Sequence, residues 1–148
     1  MKSFNVRVYG LLINSNNELL LSDERRGGFS FTKFPGGGLE FEEGVADALI
    51  REFSEELEID VTVEDLFYVN DFFQASAFNE NHQLLSFYYF VNYNKCEEIG
   101  QEAYQFPLQK DGEKQRWIAI VDLTEDDFTF PIDKVVIRKL KSFKILFD

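Results

Sequence analysis

Cysteine is nearly absent, and that already excludes one class of protein. The single Cys96 cannot close an intramolecular disulfide, so a disulfide-stapled secreted scaffold is ruled out; it reads as an ordinary loop thiol. Long apolar runs are also missing, which argues against a transmembrane helix. The opening "MKSFNVRVYG" alternates like a strand and has no signal-peptide core, so a cytoplasmic protein is expected. Positive charge is scarce: 15 Lys and Arg face 27 Asp and Glu, for a net charge of -12. That balance disfavours nucleic acid or a membrane surface as partner. A small anionic substrate stays possible, because bound divalent cations can reverse the local sign.

What is present points to one α+β domain spanning 1–148. The 45% apolar content and the 17 Phe and 6 Tyr suit a β-rich, aromatic-packed core. Residues 4–13 and 18–24 read as strands joined by the polar turn "NSNN", giving a hairpin. Residues 25–38 read as a loop carrying five of the nine glycines. A helix is expected over 45–58 and long strands over 61–74 and 83–93. An irregular segment follows over 94–114, then a strand over 116–121. A closing helix over 131–146 has Pro131 near its first turn and Lys139, Lys141 and Lys144 toward its C-terminal end. No internal repeat or linker is seen.

The most informative stretch is "GGGLEFEEGVADALIREFSEELEI" (36–59). Between Phe34 and Asn94 the only Lys or Arg is Arg51. At about 100° per residue, with Glu52 at zero, Glu55 falls near 300° and Glu56 near 40°. Three carboxylates therefore share one arc of the helix. Ala46, Leu49, Ile50, Phe53 and Leu57 fall between about 60° and 160°, a predicted core stripe. Like charges so placed cost a helix roughly 0.2–0.5 kcal/mol per pair. A solvated acidic face is the plain alternative. The preceding "PGGG", which lets backbone approach a ligand, favours a site. Arg51 lies in register to tether Glu43 and Glu55. Hard oxygen donors without Cys or His suit Mg2+ or Mn2+ rather than Zn2+.

In spacing and composition the stretch resembles the Nudix box, G-x5-E-x7-R-E-U-x-E-E-x-G-U, where U is a bulky aliphatic residue. Gly37, Glu43, Arg51, Glu52, Glu55, Glu56 and Ile59 fall on it in register. Three positions depart: Phe53 replaces the first U, Glu58 the late Gly, and Glu42 the Gly that commonly closes the loop. The order of the remaining elements is also similar, so the resemblance covers nearly the whole chain. It implies the Nudix fold, a mixed β-sheet sandwiched between helices (α/β/α). It implies a metal-dependent hydrolase, MutT-like in type, that cleaves the pyrophosphate linkage of a nucleoside diphosphate joined to another group. Mg2+ or Mn2+ would be held by Glu52, Glu55, Glu56 and the carbonyl of Gly36. Glu52 or Glu55 would help deprotonate water, while Arg51 and Glu43 hold the ligands in place. Asp111, in "QKDGEKQRW", aligns with a further metal-site acid, with Glu97, Glu98, Glu102 and Glu113 as competitors.

For the substrate, Arg25 and Arg26 are candidates to clamp a phosphate, and Phe34 to stack a base. Asp133 falls where a base-reading Asn often sits, and an ionised Asp there accepts but cannot donate. It would favour an edge with a donor such as an exocyclic amine; capping the closing helix is its alternative role. Gln74 and "ASA" (75–77) stand where ADP-ribose and dinucleoside polyphosphate enzymes often carry a Pro and a Tyr. The expected partner is a small nucleotide, with the protein a monomer or homodimer. A catalytically silent binding or sensor module is the competing reading. Such modules commonly lose box glutamates, and this chain keeps them.

Overall fold

A computed structural model describes the backbone of residues 1–147 and side chains through Phe143. It is a mixed α+β structure whose strands form two sheets. Residues group into two compact units, one of 1–12 with 35–93, the other of 13–34 with the segment from Asn94.

The first unit holds a four-stranded sheet of order β4-β1-β6-β5. Its strands are β1 (Ser3–Leu12), β4 (Gly36–Gly38), β5 (Thr62–Val69) and β6 (His82–Asn92). β1 runs parallel to β6 and antiparallel to β4, with Val8 opposite Gly37. Helix α1 (Val45–Leu57) packs on this sheet through Ala48, Leu49 and Phe53, all fully buried. Gly10 makes that contact possible, since a Cβ there would lie 2.6 Å from the Phe53 ring. Gly36 (φ 143°) presses β4 onto β1, and a Cβ there would meet the Val8 carbonyl oxygen at 2.1 Å.

The second unit holds a three-stranded antiparallel sheet, β3-β2-β7. Its strands are β2 (Glu18–Arg26), β3 (Phe29–Lys33) and β7 (Gly112–Ala119). Its core joins Leu19, Leu20 and Leu21 to Phe31, Phe34 and Phe128, with Ile132, Val136, Ile137 and Leu140 from helix α2 (Pro131–Phe147). Phe34 stacks on Phe128 with ring centroids 4.6 Å apart.

Several expectations need correction. β1 and β2 belong to different sheets, so they form no hairpin; the turn between them closes with a single bridge, Ile13 to Leu19. The glycine-rich segment is not one loop. Gly27 and Gly28, both at positive φ, reverse the chain so that "FSFTK" pairs back on β2, and Gly36–Gly38 pair with β1. β5 ends at Val69, and β7 starts four residues before the expected 116, because β2 pairs as far as Arg25 with Gly112. The Lys144 side chain lies outside the described residues. Among the described residues, no helix is long and apolar enough to cross a membrane.

Candidate active site

Helix α1 turns two of its acids, Glu52 and Glu56, inward. Taking about 100° per residue, the buried Ala48, Leu49 and Phe53 lie near 320°, 60° and 100°. Glu52 at zero and Glu56 near 40° fall between them. The Glu52 side chain is only 12% exposed, while that of Glu55 is 59% exposed. Glu56 is half-buried, with its Oε2 buried. The expected separation of an acid face from a core face is therefore wrong: Ala46 and Ile50 are exposed, and two acids take the inward positions instead.

β4 forms the floor beneath them. A Cβ on Gly37 would sit 2.5 Å from the Glu52 carboxyl group, so glycine leaves the space that the carboxylate fills. Arg51 cross-braces the loop and helix. Its Nε and Nη2 donate to Glu43 at 3.0 and 2.7 Å, its Nη2 to the Gly38 carbonyl at 2.9 Å, and its Nη1 to Glu52 at 3.1 Å and Glu55 at 3.3 Å. Glu43 also accepts from the Glu40 amide at 2.8 Å. The Arg51 hydrogen bonds hold the Glu43 carboxyl below the usual carboxylate range, with the Glu40 amide adding to the effect. In return, Glu43 and Glu52 raise the Arg51 pKa further above its ordinary value.

The side chains fit a hard divalent cation: carboxylate oxygens, no thiolate or imidazole, beside a cradle that any Cβ would fill. The site is not a closed cage. Among the described residues no three Asp, Glu, His or Cys side chains converge closely enough to hold a metal ion alone. Mg2+ commonly completes its shell with waters and substrate phosphates, so an open set suffices.

The remaining candidates lie in the second unit. Asp111 accepts from the Gly27 and Gly28 amides at 2.9 and 3.4 Å and pairs with Arg25 at 3.7 Å. Those amides, then Arg25, hold its carboxyl below the usual range. Arg25 also donates to the Gln109 carbonyl, and Arg26 is exposed at the hairpin end. Phe34 is fully buried on Phe128 and offers no open face for stacking a base. Asp133 is 3% exposed in the first turn of α2. Sequence reasoning missed a buried polar group on β2 and β3: Ser22, Asp23, Glu24, Thr32 and Lys33. Its signal was "SDE" inside a strand that otherwise reads as core.

Comparison with known proteins agrees with this geometry. The NUDIX domain profile matches residues 3–140. The 8-oxo-dGTP diphosphatase of Escherichia coli K12 is 30% identical over 143 residues, covering 95% of this chain and 98% of that protein. A MutT protein from Methanosarcina mazei Go1 superposes with a TM-score of 0.71 at 16% identity, covering 97% of this chain and 96% of its own. The MutT protein of methicillin-resistant Staphylococcus aureus 252 gives 0.63 at 25% identity, with 96% and 98% covered. With the box in register, its arginine bound to the box carboxylates and the match running through both units, the chain belongs to the Nudix hydrolase family, MutT-like in type.

Proposed function

We propose that the protein hydrolyses the pyrophosphate linkage of a nucleoside diphosphate joined to another group, using Mg2+ or Mn2+, and that both units work as one Nudix domain. The observation that carries this reading is the inward placement of Glu52 and Glu56 on α1, with the Glu52 carboxylate against Gly37. Buried carboxylates are costly unless they are paired or bind a cation, and one arginine shared among four acids, Glu40, Glu43, Glu52 and Glu55, leaves negative charge over. A divalent cation at these oxygens would neutralise the pyrophosphate and lower the pKa of water. Glu52, Glu55, Glu56 and the Gly36 carbonyl would hold it.

The chain's own groups do the rest. Arg51 fixes the Glu52 and Glu55 rotamers, and Glu43 fixes Arg51. Glu52 or Glu55 takes the proton from the attacking water. Water adds to phosphorus, the bridging P–O bond breaks, and the products are a nucleoside monophosphate and a phosphorylated second group. Asp111 accepts from the Gly27 and Gly28 amides and braces that turn, and the proposal rests on the helix acids. Arg25, Arg26 and Asp133 remain proposed substrate contacts. A cytoplasmic monomer or homodimer acting on small nucleotides completes the reading.

The E. coli relative's name supports a nucleotide substrate. The test is chromatographic detection of nucleoside monophosphate released from a nucleotide panel, with and without Mg2+. Metal-dependent release is expected; binding without turnover would favour the silent module instead.

A further inference from the structure

The irregular segment between β6 and β7 is held in place by contacts that the chemistry above does not use. Trp117 Nε1 on β7 donates to the Ile99 carbonyl at 2.7 Å, and the Tyr104 hydroxyl donates to Asp23 Oδ2 on β2 at 2.7 Å. Gly100, at φ 66°, lies against the indole, where a Cβ would stand 3.2 Å from Nε1 and Cδ1. Residues 99–104 are thus pinned at both ends. Asp23, Gly100, Tyr104 and Trp117 all line one cavity of about 770 Å³, a volume typical of small-molecule sites. Its lining comes entirely from the second unit, and none of it belongs to the Nudix box.

The lining decides what can enter. Its charged groups are Glu18, Asp23, Glu97 and Glu102 against Arg116 alone. Asp23 is fully buried and accepts from Arg116 Nε at 2.6 Å and Nη2 at 3.3 Å, so that one positive charge is already matched. Glu102 reaches only Lys114, at 4.0 Å on the open surface, a pairing of little weight. An anion would therefore meet a surplus of carboxylates, whereas a cation is attracted. Three aromatic rings, Tyr104, Phe106 and Trp117, share the lining, and Phe106 is 41% exposed. Aromatic rings attract organic cations, and apolar walls suit the alkyl stem that carries one.

We propose that this cavity binds an alkylammonium group, with its charge against Glu97 and Glu102 and its stem along Tyr104, Phe106 and Trp117. Two sources offer that chemistry, a free polyamine and a lysine side chain, and the experiment separates them. The site does not depend on the hydrolase reading.

Trp117 is the only tryptophan in the chain, so its emission reads the cavity directly. Spermidine and Nα-acetyl-lysine methylamide are titrated into the full chain at constant ionic strength, with NaCl and MgCl2 as reference salts. A saturable change in emission is expected with at least one amine and with neither salt. Binding of the lysine analogue as tight as that of spermidine, despite its single charge, assigns a protein side chain; tighter binding of spermidine assigns a free polyamine. Glu97→Gln combined with Glu102→Gln should weaken binding about tenfold or more, as loss of charge-assisted hydrogen bonds does. Phe106→Ala should weaken it about threefold. Tm should hold in both variants, because all three side chains are exposed. Glu64→Gln combined with Asp65→Asn removes the same charge from exposed positions on β5 and should leave binding unchanged. No saturable signal with either amine, an equal emission response to MgCl2, or equal losses in the two paired variants would overturn the proposal.

Discussion

Gly37→Ala isolates the site from the fold. The new Cβ would stand 2.5 Å from the Glu52 carboxyl carbon, against about 3.4 Å for ordinary contact. The carboxylate must therefore shift by about 0.9 Å. Because it ends a flexible side chain, the fold cost should be modest, about 1–3 kcal/mol as for other overpacked sites. The functional cost should be larger, since misplacing a reacting group by about 1 Å can cost about 10²-fold. Gly38→Ala is the control: its Cβ would meet only the end of the Arg7 side chain, at 3.2 Å. The assay is kcat/KM on an accepted nucleotide at saturating Mg2+, alongside urea melts. Full activity in Gly37→Ala, or equal losses in the two variants, would refute the cradle argument.

Other perturbations have equally definite outcomes. Glu58 and Glu42 hold left-handed backbone, at φ 59° and 70°, where the family commonly has glycine. Glu58→Gly and Glu42→Gly should each stabilise by roughly 0.5–1 kcal/mol in chemical denaturation, the relief of left-handed strain less the added chain entropy. Arg51 holds the Glu43 carboxyl below its ordinary range, so this stability is fully present above the unfolded pKa, near 4.5, and is lost as pH falls through the lower folded value. Melts between about pH 3 and 6 should show a shallower acid limb in Arg51→Gln than in wild type. Asp111 is tied to the Gly27 and Gly28 amides, so Asp111→Ala should lower Tm while leaving the Mg2+ dependence of hydrolysis unchanged.

The box could be read in the sequence because its spacing is fixed: Arg51 sits one helical turn from Glu55, and seven residues separate it from Glu43. The direction of the acids could not. Periodicity put Ala46 and Ile50 in the core, but packing on β1 and β4 rotated the buried sector onto Glu52 and Glu56. The hairpin expected from "NSNN" failed for a nonlocal reason: β1 finds its partners in β6 and β4, which no local pattern reveals. β3 was hidden by the glycines around it, and Phe34 looked available because an aromatic beside Pro-Gly gives no sign of the Phe128 ring that covers it. The Glu24–Lys33 pair was invisible for a similar reason, since its partners come from two strands brought into register only by the fold.

The central claim is that the inward acids of α1 hold a catalytic divalent cation. The direct measurement is hydrolysis titrated with Mg2+ for wild type, Glu56→Gln and Glu58→Gln. Glu56 lies in the inward sector, whereas Glu58 is exposed at the helix exit. The account predicts a loss of about 10²-fold or more for Glu56→Gln, in line with loss of electrostatic stabilisation, with a weakened Mg2+ response and little change for Glu58→Gln. Equal activity in the two variants, or turnover in wild type that persists in EDTA, would contradict it.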